Sequence, residues 1–350
     1  MRRLFVLTIG DVHIKTNSLN LTELLVDKVC TFVSENRVDL IVLLGDILDE
    51  HEKIHTDAYN CALKAVERLS NLGPPLVVLI GNHDLINNQQ FLTDRHGFNA
   101  LKKWSNVTIV DTVVSMTIKK HLLYFVPYVP PGRFEEALNT SGDSWKQASV
   151  IFAHQEFQGC KMGSIISKEG DIWPSEYPLV VSGHIHDYQK LGNVIYTGTP
   201  MQHSFGDSAK KTVGYFTFSD TYEYTKIDLG MPKKKTFNFT LPDVNVSKIL
   251  KYVTGDNKVK VVLNGKKAAF DTFKKTEEYG QLLDLKVMIH FKAEREKKAV
   301  VENEGDGDEE TTSFENVYQV GEKNFLQLLQ TLVVSDAGRE ALDEVLKELK

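Results

Sequence analysis

The stretch Asp39-Leu40-Ile41-Val42-Leu43-Leu44-Gly45-Asp46-Ile47-Leu48-Asp49 decides the fold of this 350-residue chain. Its five consecutive apolar residues, 40–44, predict a strand that is buried on both faces, as in a sheet covered by helices. Gly45 ends the run, and Asp46 follows where the chain leaves the sheet, which is where α/β folds place their ligands. A carboxylate at that position is unfavourable unless it is solvated, paired or bound to a cation.

Four other apolar strands end in polar side chains of a similar kind. With Gly45-Asp46-x-x-Asp49 they form an ordered set of motifs: Asp11-x-His13, Gly81-Asn82-His83-Asp84, His154 and Gly183-His184-x-His186. The candidate metal ligands among them are Asp11, His13, Asp46, Asn82, His154, His184 and His186. Mixed imidazole, carboxylate and amide ligation suits Mn²⁺, Fe²⁺ or Zn²⁺ better than Mg²⁺ or Ca²⁺. Seven ligands are too many for one such ion and suit two ions that share a carboxylate.

Each motif taken alone has an equally good structural explanation. Gly-Asp and Asn-His-Asp are common turn sequences, and the two histidines of Gly183-His184-x-His186 could simply meet solvent at a strand end. The whole set in order, each member at the end of an apolar strand, favours a metal centre over coincidence.

Composition and charge narrow the class of protein. With 42% hydrophobic and 25% charged residues, the chain matches an ordinary soluble globular protein. The apolar run at its start is too short for a signal peptide, and no run approaches a membrane span. Three scattered cysteines indicate reduced thiols in an intracellular compartment.

The net charge of −6 is unevenly distributed along the chain: residues 231–298 hold 16 Lys/Arg against 8 Asp/Glu, whereas residues 299–350 hold 4 against 13. A basic middle segment is compatible with a polyanion site.

The order of predicted elements indicates an α/β fold, a two-layer β-sandwich core flanked by helices. Strands and helices alternate as βαβ units up to about residue 80. The alternating pattern over residues 107–128 predicts antiparallel strands of a second sheet. Beyond Pro232, a strand at Lys258–Leu263, a helix at Ala268–Lys275 and a strand at Leu285–Phe291 predict a small α+β unit. Residues 302–310 have the composition of a solvated acidic linker, and helical spacing follows it.

The ordered metal motifs resemble those of the calcineurin-like metallophosphoesterase superfamily. Four further segments, 126–128, 154–157, 196–200 and 204–207, make the chain similar to the SbcD-type nuclease subunits of double-strand-break repair complexes and their phage and viral relatives. The basic unit resembles the capping domain of that branch. The resemblance implies a nuclease domain over residues 1–230 and a DNA-facing cap over 231–300, followed by an acidic linker over 301–320. Residues 321–350 would then be a helical segment that either docks a partner or packs on the cap.

The resemblance also implies a function and its partners. The expected activity is metal-dependent hydrolysis of DNA phosphodiesters, as a 3′→5′ exonuclease and single-strand endonuclease in double-strand-break processing. Two Mn²⁺ ions, a homodimer and an SbcC-type coiled-coil ATPase subunit are expected with it. The expected location is intracellular, in the cytoplasm or nucleoid, or in the host-cell compartment that holds DNA if the chain is viral.

Matched position by position, the resemblance implies roles for the site residues. One ion would be held by Asp11, His13, Asp46 and His186, and the other by Asp46, Asn82, His154 and His184. His83 would be the general acid that protonates the leaving oxygen, with Asp84 orienting its ring and Asp49 supporting the site. A competing interpretation makes His83 only a hydrogen-bonding residue that positions the substrate.

Two other functions stay open on the sequence. The same core could serve a phosphoesterase of small nucleotides or phosphoproteins, or a structural DNA-end-binding subunit that turns over slowly. His51 and His55 could touch DNA and His203 could contact a nucleotide, but we expect ordinary roles: His51 and His55 exposed at a helix start, and His203 structural in a loop.

Overall fold

The computed structural model describes residues 3–294. The strands, in chain order, are β1 Leu4–Ile9, β2 Leu40–Leu43, β3 Leu76–Leu79, β4 Val107–Val110, β5 Val114–Ile118, β6 His121–Val126, β7 Val150–His154, β8 Lys161–Met162, β9 Ile165–Ile166, β10 Val180–Gly183, β11 Gln189–Leu191, β12 Val194–Tyr196, β13 Val213–Phe218, β14 Tyr222–Ile227, β15 Lys234–Thr240, β16 Lys258–Gly265 and β17 Met288–Ala293. The helices are α1 Leu19–Glu35, α2 Thr56–Ser70, α3 Phe134–Asn139, α4 Val246–Leu250, α5 Lys267–Phe273 and α6 Glu277–Asp284, with 3₁₀ turns at Asn99–Lys103 and Asp143–Gln147.

Two six-stranded sheets form the core and confirm the predicted fold class. The first has the order β14-β13-β1-β2-β3-β4, and β1 to β4 run parallel to one another. The second has the order β11-β12-β10-β7-β6-β5, with β6, β7, β10 and β12 parallel. Parallel strands joined by helices bring their carboxyl ends to one rim of each sheet.

The strand at residues 40–44 is buried on both faces, as its run of apolar residues predicted. Leu40, Val42 and Leu44 pack between the two sheets, against a cluster that includes Phe125 and Phe152. The alternate side chains, Ile41 and Leu43, pack on the other face of the sheet with residues of α1 and α2. A third cluster covers the outer face of the second sheet. The central strand is therefore fixed from both sides, and its end has little freedom to move.

The prediction for residues 107–128 is partly wrong. Val107–Val110 belongs to the first sheet and runs parallel to β3, whereas β5 and β6 form the predicted antiparallel pair in the second sheet. An alternating pattern reports which side chains are buried, but it does not identify the neighbouring strand. The chain crosses between the sheets after Val110.

A third sheet of three parallel strands, β15-β16-β17, forms the basic unit with α4, α5 and α6. It has its own apolar cluster, which includes Phe237, Val261 and Leu282. The last strand begins at Met288 and not at Leu285, because α6, with Thr276 accepting from the Tyr279 N–H as its cap, precedes it. The boundary at residues 230 and 231 stays a prediction.

The predicted linker and C-terminal helical segment, residues 301–350, lie outside the described residues, as does the end of the predicted cap. Within residues 3–294, no helix has the length and apolar character needed to cross a membrane.

Candidate metal centre

The predicted ligands follow strands whose carboxyl ends share one rim of the molecule. Asp11 and His13 follow β1, Asp46 follows β2 and Asn82 follows β3 in the first sheet. His154 ends β7 and His184 follows β10 in the second sheet, where Gly183 pairs with His154. The topology therefore brings residues from distant parts of the chain to one place.

The first group of potential ligands contains Asp11, His13 and His186, whose ligand atoms lie within 4.8 Å of one another. The Nε2 atoms of His13 and His186 are only 3.1 Å apart. The Oδ2 atom of Asp11 is buried and has no hydrogen-bond partner. An unpartnered buried carboxylate oxygen near two facing ring nitrogens fits a cation better than it fits a set of hydrogen bonds.

The second group contains Asp46, His154 and His184, and Asn82 completes it. The Asn82 Oδ1 atom lies 3.0 Å from His154 Nε2 and 3.0 Å from His184 Nδ1. His154 Nε2 is also 3.3 Å from Asp46 Oδ2. One amide oxygen, one carboxylate oxygen and two imidazole nitrogens are a donor set suited to a divalent transition-metal ion.

Asp46 lies between the two groups. Its Oδ2 atom is 3.6 Å from His13 Nε2 and 3.3 Å from His154 Nε2. Its Oδ1 atom accepts a hydrogen bond of 2.8 Å from the backbone N–H of His83. Burial opposes ionisation of this carboxyl, but the neighbouring His154 keeps its pKa below the usual range. Asp46 can therefore present one charged oxygen to both groups.

Contacts on the far side of the rings orient the ligand atoms. His154 Nδ1 donates to the Leu44 carbonyl oxygen at 2.7 Å, which turns Nε2 toward Asn82 and Asp46. Burial alone would lower the pKa of His154, but Asp46 and Asp11 raise it to about 9. A cation among these carboxylates would replace the proton that they otherwise attract. Such outer contacts are usual for metal-binding histidines.

Asp49 supports the centre from the other side. Its Oδ1 atom lies 3.2 Å from His13 Nδ1 and 2.9 Å from Lys15 Nζ. Burial works against ionisation of the half-buried carboxyl, but the contacts with His13 and Lys15 lower its pKa to about 2. This agrees with the supporting role expected of Asp49.

The backbone around the ligands is unusual. Asp11, His13, Asp46 and His184 have positive φ angles of 42°, 46°, 50° and 76°. Residues other than glycine rarely adopt this region, and such conformations concentrate at functional sites. Gly81 is needed for a different reason, because a Cβ atom there would lie 2.2 Å from Asp46 Oδ1.

The expectation that Asp84 orients the His83 ring is wrong. The buried Asp84 carboxylate accepts hydrogen bonds from the backbone N–H groups of Gly81 at 3.0 Å, Leu48 at 2.9 Å and Ile47 at 3.3 Å. Burial raises its pKa to about 6. The Asn-His-Asp turn directs this carboxylate back into the protein, where it ties the loop after β2 to the loop after β3.

His83 is held instead by a backbone group. Its Nδ1 atom donates to the Asp49 carbonyl oxygen at 2.6 Å, and its ring lies edge-on to His13 with centroids 4.8 Å apart. One of its ring nitrogens also lies within 4.8 Å of a potential ligand atom of His13 and of Asp46. The role of His83 as a general acid and not a ligand therefore stays a prediction.

Two histidines that we expected to be ordinary lie at the centre. The His51 ring stacks on His83 with centroids 4.5 Å apart and planes at 20°, and its buried Nδ1 has no partner. His203 lies 5.1 Å from His13 between ring centroids, and its Nε2 donates to the Asp11 carbonyl oxygen at 2.9 Å. The sequence signal for His51 was its place two residues after Asp49 in the loop that follows β2.

The fold and the paired ligand groups define a metal-dependent phosphoesterase. Residues 6–207 match the family model described as calcineurin-like phosphoesterase, and the chain belongs to this family. "Putative phosphoesterase 078R" of Invertebrate iridescent virus 3 is 45% identical over 291 residues, which are 82% of this chain and 84% of that protein. "Putative phosphoesterase 244L" of Invertebrate iridescent virus 6 is 40% identical, covering 78% of this chain and 98% of that protein.

A more distant relative has a name that specifies a substrate class. "Exonuclease subunit 1" of Enterobacteria phage T4 is 25% identical over 231 residues, covering 63% of this chain and 66% of that protein. The identity with the two viral proteins is higher and covers the chain beyond the matched family region.

Proposed function

We propose that the chain is a Mn²⁺-dependent DNA nuclease with 3′→5′ exonuclease and single-strand endonuclease activities. The observation that carries this proposal is the pair of ligand groups with Asp46 between them, next to a basic groove. The similarity to a phage exonuclease subunit supports DNA as the substrate. Hydrolysis itself follows from the family.

The basic groove lies between the core and the third sheet. A cavity of about 260 Å³ is lined by Lys15 from the loop after β1 and by Lys234 and Lys258 from the third sheet. His203, which contacts the Asp11 backbone, lines the same cavity. Burial and the neighbouring Lys258 lower the pKa of Lys234. Clustered lysines beside the metal centre suit a polyanion that extends beyond the bond to be cut.

Residues of the chain would position the diester and move the proton. Bound manganese ions would supply positive charge that neutralises the phosphodiester and makes a water molecule nucleophilic. The Asp11, His13 and His186 group and the Asp46, Asn82, His154 and His184 group would hold them. His83 Nδ1 donates to the Asp49 carbonyl oxygen, so the imidazolium form of His83 would carry its second proton on Nε2 and would give that proton to the leaving sugar oxygen, returning to neutral imidazole.

Cleavage of end-labelled linear DNA with and without Mn²⁺ tests the proposal, with a bis-aryl phosphodiester and an aryl phosphomonoester as companion substrates. We expect DNA and diester to be hydrolysed only with the metal. Turnover of the monoester alone would favour a phosphoesterase of small nucleotides or phosphoproteins. Tight DNA binding without cleavage, even with an ATPase subunit present, would favour a structural end-binding subunit.

We also propose that the chain acts as a homodimer with an SbcC-type coiled-coil ATPase. The phage relative is named as a subunit of an exonuclease, which supports an assembly of this kind. Sedimentation of the purified chain tests the dimer, and co-purification with a coiled-coil ATPase encoded in the same genome tests the partner. A monomer that binds no such ATPase would remove both.

A further inference from the structure

The short hairpin formed by β8 and β9 exposes apolar side chains without an evident structural reason. The exposed fractions are 37% for Met162, 63% for Ile165 and 55% for Ile166. Single exposed apolar side chains are common on protein surfaces. Three within one six-residue hairpin indicate a surface that meets something apolar.

The hairpin forms a wall of a cavity on the metal centre. This cavity of about 340 Å³ is lined by Met162 and Gly163 of the hairpin and by His184 and His186 of the two ligand groups. Met162 is the cross-strand partner of Ile165, and cross-strand partners lie on the same face of a hairpin. Met162 therefore borders a cavity whose lining includes the candidate metal-ligand histidines His184 and His186, and Ile165 stands beside Met162 on the same face of the hairpin.

Hydrogen bonds hold the hairpin in this position. The backbone N–H of Lys161 donates to Gln189 Oε1 at 2.7 Å, and Gln189 Nε2 donates to the Lys161 carbonyl oxygen at 2.6 Å. Gln189 lies on β11, an edge strand of the second sheet. The apolar wall is thus attached to the same sheet that carries His154 and His184.

We propose that the face formed by Met162 and Ile165 is a stacking platform for the nucleobase next to the scissile phosphodiester. The inference rests on the proposed nuclease function and deepens it. A phosphodiester placed at His184 and His186 carries a base one sugar away, so that base falls beside the hairpin wall. Apolar side chains bind the flat face of any base, and the contact tolerates sequence differences.

The platform selects the state of the DNA strand and not its sequence. A base can lie flat on Met162 and Ile165 only after it leaves its own stack, which is easiest at a strand end or in single-stranded DNA. The apolar face is also small and continuous with the cavity on the ligands, which favours a base over a protein segment as its occupant.

The test compares the double variant Met162→Ser/Ile165→Ser with the wild type and with Ile172→Ser. Ile172 is 74% exposed but belongs neither to the hairpin nor to the cavity lining, so its replacement is the matched control. Each protein is assayed with Mn²⁺ on single-stranded DNA, on the same DNA with an abasic nucleotide next to the cleaved bond, and on a bis-aryl phosphodiester. The aryl substrate reports that the metal centre is intact in every variant.

We expect the double variant to lose about tenfold or more in kcat/KM on intact DNA, the order expected for one base contact. It should hydrolyse the aryl diester at the wild-type rate. The abasic DNA should be a poor substrate for the wild type. The double substitution should not lower kcat/KM on the abasic DNA any further. The Ile172→Ser protein should match the wild type on all three substrates.

Other results overturn the inference in distinguishable ways. Equal cleavage of intact and abasic DNA by the wild type, or an undiminished rate in the double variant, removes the platform and leaves the nuclease function. A loss that occurs only when an ATPase subunit is present assigns the face to protein docking. A wild-type protein that hydrolyses the aryl diester but no DNA removes the proposed nuclease function and the platform with it.

Discussion

At the scale of single residues, the hydrogen bond made by one ring nitrogen of a histidine determines what the other ring nitrogen can do. His154 and His83 both donate from Nδ1 to a backbone carbonyl, of Leu44 and Asp49 respectively. In His154 this leaves Nε2 toward Asn82 and Asp46, and in His83 it leaves Nε2 as the nitrogen available for the proposed proton transfer. We predict that Nε2 binds the metal in His154 and transfers the proton in His83.

His83→Ala should separate catalysis from metal binding. Removing the proton donor should lower kcat by about 10²–10⁴-fold, while calorimetric titration with Mn²⁺ should give an unchanged affinity. Asp46→Asn is the companion variant and should lose both, because it removes the negative charge that lies between the two ligand groups. Wild-type turnover by the His83→Ala protein would remove the general-acid role.

His51 should matter through its contact with His83. The parallel stack limits rotation of the His83 ring, so His51→Ala should lower kcat several-fold with little change in KM. His51→Phe keeps a flat ring at the same place and should recover most of the loss. Steady-state kinetics on a bis-aryl phosphodiester measures both constants. If alanine and phenylalanine behave alike, the stack does not position His83.

At the scale of elements, the centre is assembled from loops that leave neighbouring parallel strands. The loops approach so closely that glycine is required where they touch, and Gly81 after β3 is the clearest example. The Asp84 carboxylate joins the same two loops by binding the backbone of Ile47 and Leu48. The spacing of the ligands therefore depends on contacts between loops as well as on the ligands themselves.

Gly81→Ala should damage the centre while the rest of the fold persists. Its Cβ atom would lie 2.2 Å from Asp46 Oδ1, so the Asp46 side chain must move away from its place between the groups. We expect at least about tenfold weaker Mn²⁺ binding by calorimetry, the order seen when contacts that orient ligands are lost. Gly280→Ala is the control, because nothing lies within 4 Å of a Cβ atom there. Equal affinities in the two variants would contradict this account.

The sequence predicts the strand ends well and the contacts between them poorly. An apolar run that stops at Gly45-Asp46 reports both a buried strand and the side chain delivered at its end. Nothing in Asn82-His83-Asp84 reveals that the Asp84 carboxylate turns inward, because its partners include Ile47 and Leu48, more than 30 residues away. Likewise the alternation over Val107–Val110 records burial, and only the assembled sheets show which strand is its neighbour.

At the scale of the whole molecule, lysine side chains extend from the metal centre along the basic groove. Lys15 links the centre to the groove, since it pairs with Asp49 and lines the cavity shared with Lys258. Lys260 lies on the same strand and stands 5.9 Å from the Phe205 ring. A strand of nucleic acid could follow these lysines toward the ligands.

The salt dependence of DNA binding should report this groove. Lys258→Gln/Lys260→Gln should weaken binding to single-stranded DNA and make the slope of log K against log salt shallower by about 1.4, or about 0.7 for each contact removed. Fluorescence anisotropy over a series of KCl concentrations measures the slope. Lys251→Gln, which changes an exposed lysine directly after α4 that does not line the groove, should leave the slope unchanged. An unaltered slope in the double variant would place the DNA elsewhere.

The left-handed backbone at Asp11, His13, Asp46 and His184 has a consequence for how the centre fills. Rarely populated backbone conformations of this kind cost about 1–3 kcal/mol each, and the packed strands hold them as the chain folds. The cage is therefore preorganised, and incoming ions need not spend their affinity on ordering loops. Metal binding should therefore resemble binding to a rigid chelator. The free energy needed to order the ligand loops lowers the stability of the fold and does not weaken the binding of the ions.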